Sequence, residues 1–467
     1  MSDRSGISRR DFLRIGGAAT AGLLAAGMGA VGARPASAQQ TPPNVLLIIT
    51  DQQHFDTISA AGCPHISTPA LDALAERGTR FVHSVSPNPL CSPARSAIFS
   101  GRTSCEAGVH VNGRPIRAEF PNLGQWLSER GGYDTCYSGK WHLPQGATHF
   151  IPGFDVISTG ISGQGNIADT AVASACAGWL HNRASSDPFF MVASFVQPHD
   201  ICQWLRLNAR KMDELPVSGI SDQLPPLPDN FGYDPLEPAS VASRREGNEG
   251  VSNQWSEEQW RYYLWSYYRH VEMVDAEIGR VLSGLEQSGH ADDTLVIFTA
   301  DHGEGTAHHQ MTRKNLLYDE ALAVPLIAAL PGEIAGGRAD GAHLASGLDI
   351  MPTICDYAGI DAPPKMRGRS LRPVLEQRNT TWREFAVSEV NNNTGRAVRT
   401  DRFKYITYAD DPVEQLFDMV EDPGELNNLA DDASHADVVA DHRAMLRDWE
   451  RRLDVPEGVE NREAWVG

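Results

Sequence analysis

The sequence predicts an α/β fold: a large mixed, mostly parallel sheet flanked by helices, with a smaller α+β subdomain closing the C-terminus. Three observations carry this. Apolar runs at 45–49, 189–196, 294–299 and 324–330, with a weaker one at 133–137, have strand length and little alternation, as strands buried on both faces do. Helical patterns at 69–75, 122–130 and 257–287 fall between them, and strands alternating with helices argue for a parallel sheet covered on both sides. Beyond about residue 370 the pattern changes: 396–408 alternates like a strand of a small antiparallel sheet, and 434–453 reads as a terminal helix.

Each segment follows in order. Residues 1–38 begin with the twin-arginine pattern Ser8-Arg9-Arg10-Asp11-Phe12-Leu13-Arg14, continue with an uncharged Gly/Ala-rich run over 15–33, and end on the small-residue site Ala36-Ser37-Ala38. The run is long enough to span a bilayer but too weakly apolar to anchor, so it reads as a Tat export signal. A periplasmic or secreted protein that uses the Tat machinery and has no stable membrane anchor is expected. Residues 39–369 form the main domain and 370–467 the C-terminal subdomain. Residues 215–253, rich in Pro, Gly, Asp and Ser, read as an ordered insertion or lid. The helix at 257–287 carries Trp260, Tyr262, Tyr263, Trp265, Tyr267 and Tyr268 just after Trp255; packing against the sheet is favoured over a sugar-stacking platform. The formal charge of −20 argues against nucleic acid as a partner, and seven cysteines in 467 residues do not make a disulfide scaffold.

In open α/β sheets ligands bind beyond the carboxyl ends of the strands, so the polar residues that follow each run are informative. They are Asp51-Gln52, Lys140-Trp141-His142, His199-Asp200 and Asp301-His302. Singly, Asp51 could be a helix cap, His199 a core imidazole and Lys140 a solvated lysine; jointly they suggest one site. Lysine is scarce, at five of 40 basic residues, and a retained lysine hints at a compact, tunable ammonium. Asp51, Gln52 and Asp301 offer oxygen ligands to a hard divalent cation, and His302 leaves Mn2+ open beside Ca2+ and Mg2+.

Cys91-Ser92-Pro93-Ala94-Arg95 opens a short helix, with Ser92 able to cap and Pro93 suited to the first helical position. A cysteine at a helix N-terminus beside an arginine has a depressed pKa. On these residues alone Cys91 is either a reactive thiol or a structural cysteine.

The run "CSPAR" followed by "SGR" resembles the maturation signature of the type I, formylglycine-dependent sulfatases of the alkaline phosphatase superfamily. Its neighbours agree in order: "NVLLIITDQQ", "SGKWHL", "QPHD", "TADHGE", "HQMTRKNLLYDEALAVPLI" and the C-terminal "RTDRFKYI". The resemblance implies an alkaline-phosphatase-like fold and conversion of Cys91 to formylglycine (3-oxoalanine) by a formylglycine-generating enzyme. It implies one divalent cation, Ca2+ ahead of Mg2+ or Mn2+, at Asp51, Gln52, Cys91, Asp301 and His302. It also implies that a sulfate ester, small-molecule or saccharide, is hydrolysed to an alcohol or phenol and sulfate. In that scheme a formylglycine hydrate at position 91 attacks sulfur, Arg95, Lys140 and Lys314 hold the sulfuryl oxygens, His199 and Lys314 serve the leaving oxygen, and His142 takes a proton from the second hydroxyl so that sulfate is expelled. His309 either lines the pocket or supports it. The Gln52 and His302 variants resemble choline sulfatases and phosphonate monoester hydrolases. A phosphonate monoester or phosphate diester hydrolase is therefore the alternative, with an inactive polyanion-binding relative a more distant one.

Overall fold

The computed structural model describes residues 42–144, 148–160, 164–214, 219–247, 254–390, 394–409 and 411–455. The export-signal reading, on residues 1–38, lies outside them. Among the described residues no helix is long and apolar enough to cross a membrane.

Among the described residues fourteen strands are found: β1 (Asn44–Asp51), β2 (Thr79–Phe81), β3 (Ser84–Val85), β4 (Asp134–Gly139), β5 (Asp155–Thr159), β6 (Phe189–Pro198), β7 (Thr294–Ala300), β8 (Leu326–Ala329), β9 (Arg338–Asp340), β10 (Ala345–Ser346), β11 (Ala386–Val390), β12 (Gly395–Arg399), β13 (Phe403–Tyr408) and β14 (Gln415–Asp418). Eight form the main sheet in the order β5-β4-β6-β1-β7-β8-β2-β9. Only β8 runs antiparallel to its neighbours. All five predicted runs land in this sheet: those at 45–49, 189–196 and 294–299 extend by one or two residues at the C-terminal end, 133–137 shifts to 134–139, and 324–330 shortens to 326–329.

The reason these runs lack alternation is visible in β1. Val45, Leu47 and Ile49 face one core with Phe99, Met351 and Ile354. Leu46 and Ile48 face the other, with Val172 and Cys176 of the helix Gly165–Asn182 and Val274 and Ile278 of the helix Glu257–Gln287. Both faces are covered, so both residue parities are apolar. Each fully buried Leu, Ile or Val contributes about 1.5–3 kcal/mol.

The stretch 396–408 is not one strand. It is the hairpin β12–β13, turned at Thr400, whose hydroxyl accepts from the Phe403 amide at 3.0 Å. The side-chain alternation continues through the turn, which conceals it in the sequence. With β11 and β14 the hairpin makes a four-stranded antiparallel sheet. One face packs on Val439 and Leu446 of the helix Ala436–Arg451, and the other on Leu316, Leu317 and Leu322 of the segment after β7. The C-terminal sheet thus buttresses the segment that follows Lys314. The predicted lid is partly helical, with a helix at Ala239–Gly247.

Candidate active site

The sheet order places β4, β6, β1 and β7 side by side and parallel, so their carboxyl ends share one edge. Lys140 follows β4, His199 follows β6, Asp51 ends β1 and Asp301 follows β7. The four strand-end motifs read from the sequence therefore converge. Two of them turn sharply on leaving the sheet: Gln52 and His142 hold left-handed backbone at φ 70 and 64.

Cys91 meets them from outside the sheet. Its helix, Cys91–Ser100, begins at residue 91, with Leu90 as an extended N-cap that makes no side-chain bond. This corrects the expectation that Ser92 caps and Pro93 leads the helix. The Ser92 hydroxyl instead donates to the His142 carbonyl at 2.6 Å, tying the helix start to the loop after β4. The thiol lies 3.2 Å from His302 Nε2, 3.7 Å from Asp51 Oδ1 and 3.1 Å from Lys314 Nζ. His142 and His199 are within hydrogen-bonding reach of the same sulfur. Burial alone would raise the Cys91 pKa; Lys140, Lys314 and His302 outweigh it and hold the thiol well below its ordinary value. The two lysines lead this effect, neither of them near Cys91 in sequence.

Arg95 has another task. Its Nε donates to Asp301 Oδ2 at 2.8 Å, Nη2 to Asp51 Oδ2 at 3.2 Å, and Nη1 to the Lys140 carbonyl and Ser194 Oγ, both at 2.8 Å. All three nitrogens of this fully buried guanidinium are occupied, so it braces both carboxylates and does not reach toward a substrate. Lys140 Nζ completes the brace, 2.5 Å from Asp51 Oδ2. Burial and Cys91 push the Asp51 pKa up, but Lys140, His199 and Lys314 outweigh them and keep it ionised. Burial and the Asp51 charge lift Asp301 to about 6. The pair the sequence assigned to the leaving group divides by charge. Burial, Lys314 and Lys140 lower His199 to about 4, so it is neutral, whereas Cys91 and Asp51 overcome burial and keep Lys314 protonated.

The residues fit a divalent cation. Ligand atoms of Asp51, Cys91, Asp301 and His302, all buried, lie within 4.8 Å of one another. Arg95 and Lys140 take the Oδ2 atoms of the two acids; Asp51 Oδ1 faces Cys91 at 3.7 Å, and Asp301 Oδ1, which accepts from the Gln52 and His302 amides at 3.0 and 2.9 Å, is held at the edge of the cluster. His302 Nδ1 lies 2.9 Å from the Gly303 carbonyl, which sets the tautomer and leaves the Nε2 lone pair for a ligand. Gln52 brings its Oε1 to the same place, 2.5 Å from Lys314 Nζ. Three oxygens and one imidazole suit a hard or borderline ion.

Sequence reasoning quoted Glu304 but gave it no role. Its buried carboxylate accepts from Gln52 Nε2, the Tyr263 hydroxyl and the Arg313 amide, so it turns the Gln52 carbonyl toward the cation site. Tyr267 donates to the Gln52 carbonyl oxygen and accepts from the His54 amide, both at 2.8 Å. The aromatic helix Glu257–Gln287 thus packs as predicted and also sets the Gln52 loop. Lys314 itself rides on a contorted segment: Thr306, Ala307, His309, Gln310, Arg313 and Asn315 all have left-handed backbone. His309 stacks on Tyr318 at 4.3 Å and sits beside Glu320, so it supports this segment from behind.

Known proteins resemble this chain in sequence and fold. The sulfatase family pattern matches residues 43–360, and the pattern described as N-sulphoglucosamine sulphohydrolase, C-terminal, matches 307–452. A Delta 4,5-hexuronate-2-O-sulfatase of Bacteroides thetaiotaomicron is 33% identical over 89% of this chain and 90% of its own. A solved 2-O GAG sulfatase superposes with a TM-score of 0.80 at 30% identity, covering 88% of this chain and 93% of its own. The phosphonate monoester hydrolase of Agrobacterium radiobacter superposes less well, with a TM-score of 0.73 at 25% identity over 88% of this chain and 96% of its own. Both the Cys91 helix and the strands that supply its neighbours fall inside the first pattern, and the chain belongs to the sulfatase family of the alkaline phosphatase superfamily.

Proposed function

We propose that this sulfatase hydrolyses a sulfate ester carried on a saccharide, through residue 91 in its formylglycine form. One observation carries the chemistry: Cys91 sits at a helix N-terminus, 3.1 Å from the Lys314 ammonium and 3.2 Å from His302 Nε2, with the Asp51–Asp301 pair braced behind it. The saccharide comes from the relatives: the hexuronate and GAG sulfatases above are similar over nearly the whole chain.

Asp51, Gln52, Asp301, His302 and residue 91 would hold a divalent cation, which when bound neutralises sulfuryl charge and acidifies the attacking hydroxyl. The aldehyde hydrate offers two hydroxyls on one carbon. The first attacks sulfur, and the ester oxygen departs with the electron pair of the S–O bond. The Lys314 amine, 3.1 Å from position 91, is placed to give that oxygen a proton, with His199 orienting it. His142 then accepts the proton of the second hydroxyl; the carbonyl re-forms and sulfate leaves from the enzyme. Lys140 and Lys314 supply fixed positive charge in a buried site, where such terms are largest. The N-terminal segment is proposed to export the folded enzyme through the Tat pathway.

The test is a hydrolysis panel on protein made with a maturation enzyme: sulfated glycosaminoglycan disaccharides, choline sulfate, and matched aryl sulfate and aryl phosphonate esters. Sulfated saccharides are expected to be turned over fastest, with Cys91→Ala inactive. A higher kcat/KM for the phosphonate than for every sulfate would overturn the assignment in favour of the phosphonate hydrolase reading.

A further inference from the structure

Two consecutive arginines on the lid helix Ala239–Gly247 differ in one respect. Arg245 is fully matched. It pairs through both Nη atoms with Glu237, donates from Nε to the His309 carbonyl at 2.9 Å, and lies over the Tyr233 ring at 3.7 Å. Arg244 grips the same catalytic segment, with Nε and Nη2 donating to the Lys314 carbonyl at 3.1 and 2.9 Å. Among the described residues, however, no carboxylate pairs with it. A carbonyl dipole holds a guanidinium in place without cancelling its charge.

The position of that charge is informative. Arg244 is half-buried and one lysine side chain away from Cys91, because the residue whose carbonyl it grips places its own ammonium 3.1 Å from the sulfur. Cys202 and Glu304 are close enough to act on it electrostatically, and both touch the Gln52 amide. Arg313 faces it and adds to the positive field. Arg244 therefore stands beside the segment that carries Lys314, on the Gln52 side of the cluster. Half-burying an arginine without an acid is costly, and its pKa is lowered by that burial and by Arg313. Such an arrangement persists where an incoming anion completes it.

We infer that Arg244 receives a second anionic group of the substrate, a carboxylate or a second sulfate on the sugar that bears the scissile sulfate. This rests on the saccharide-sulfatase reading and deepens it: the substrate would be a dianionic sugar, recognised at one end by the Cys91 cluster and at the other by the lid. Two guanidinium N–H bonds go to the Lys314 carbonyl, and the remaining Nη donors are left for the anion.

The experiment compares three substrates that differ in one group: a sulfated hexuronide, the corresponding sulfated hexoside with a neutral CH2OH, and that hexoside carrying a second sulfate. The readout is the ratio of kcat/KM for each dianion to that for the monoanion, measured in one preparation. The ratio is independent of how much enzyme is folded and aldehyde-bearing. Wild type is expected to prefer at least one dianion, which identifies the group. Arg244→Gln is expected to lower that ratio about 10- to 100-fold, the size of a lost charge-assisted contact, mainly through KM. Arg244→Lys keeps the charge and is expected to retain part of the preference. Wild type without any preference, or an Arg244→Gln ratio equal to that of wild type, would overturn the inference and leave Arg244 as a clamp on Lys314. Failure to hydrolyse any of the three, with aryl sulfate still turned over, would instead remove the saccharide reading beneath it.

Discussion

Asp51, Lys140, His199 and Asp301 leave four adjacent parallel strands, whereas Lys314 arrives on a segment in which six non-glycine residues hold left-handed backbone. The first half of the pocket inherits its geometry from a core buried on both faces of the sheet. The second half would not keep its shape unaided, since each left-handed non-glycine residue costs about 1–3 kcal/mol. It is held by side chains from elsewhere: Arg244 and Arg245 on the carbonyls of Lys314 and His309, Glu304 on the Arg313 amide, and the C-terminal sheet behind Leu316 and Leu317. On the reading proposed above, residue 91 and its carboxylates stand on the rigid side, whereas Arg244 stands on the side that is tied rather than built.

The comparison is broken most severely by removing an acid from the strand side. Asp51→Ala should lose the bound cation and roughly 10^3-fold or more in kcat. It should also lower Tm, because Lys140 is left buried without its carboxylate and Arg95 keeps only Asp301, a loss of about 3–5 kcal/mol. Metal analysis and thermal melts on one sample check both; a variant that keeps the cation and most of its activity would show that the sheet edge is not the site's foundation.

A second test divides the two halves by leaving group. With Lys314 as the proposed acid and His199 as the group that orients it, Lys314→Ala should steepen the dependence of log kcat/KM on leaving-group pKa more than His199→Ala does, by about 10^2-fold for the poorest leaving groups. Equal slopes for the two variants would return the acid to the strand side.

The smallest effect sharpens the comparison. Arg245→Ala releases the His309 carbonyl and leaves Glu237 buried, but touches nothing on the sheet edge. It should cost about 10-fold in kcat/KM while cation content stays unchanged. Loss of the cation in this variant would mean that loop and sheet are not separable.

The two halves were also unequally legible. Residues 45–49 and 294–299 announce buried strands by composition, and strand ends announce where polar residues matter, so Asp51, Lys140, His199 and Asp301 could be read from one chain. Arg95 was found but its direction was not, since nothing local tells that its fork closes on Asp51 and Asp301. Glu304, Tyr263 and Arg244 act by orienting Gln52 or Lys314 from positions 41 to 252 residues apart along the chain, or 70 for Arg244. No periodicity marks such pairs. The Ser92 cap failed for a related reason: a free hydroxyl favours capping locally, but the His142 carbonyl offered a partner in three dimensions.

Every residue of the helix Cys91–Ser100 is buried, and Cys91 itself is 1% exposed. No second enzyme can draw a cysteine-centred peptide into its own cleft while that peptide is wound inside this one. The proposed conversion of Cys91 to formylglycine would therefore be a race against folding. A molecule that folds first is locked as the thiol for the lifetime of its native state, which for a domain with so large a core is set by a slow unfolding rate. The aldehyde-bearing fraction of any preparation then records the ratio of two rates, modification over folding, at the moment each chain was made.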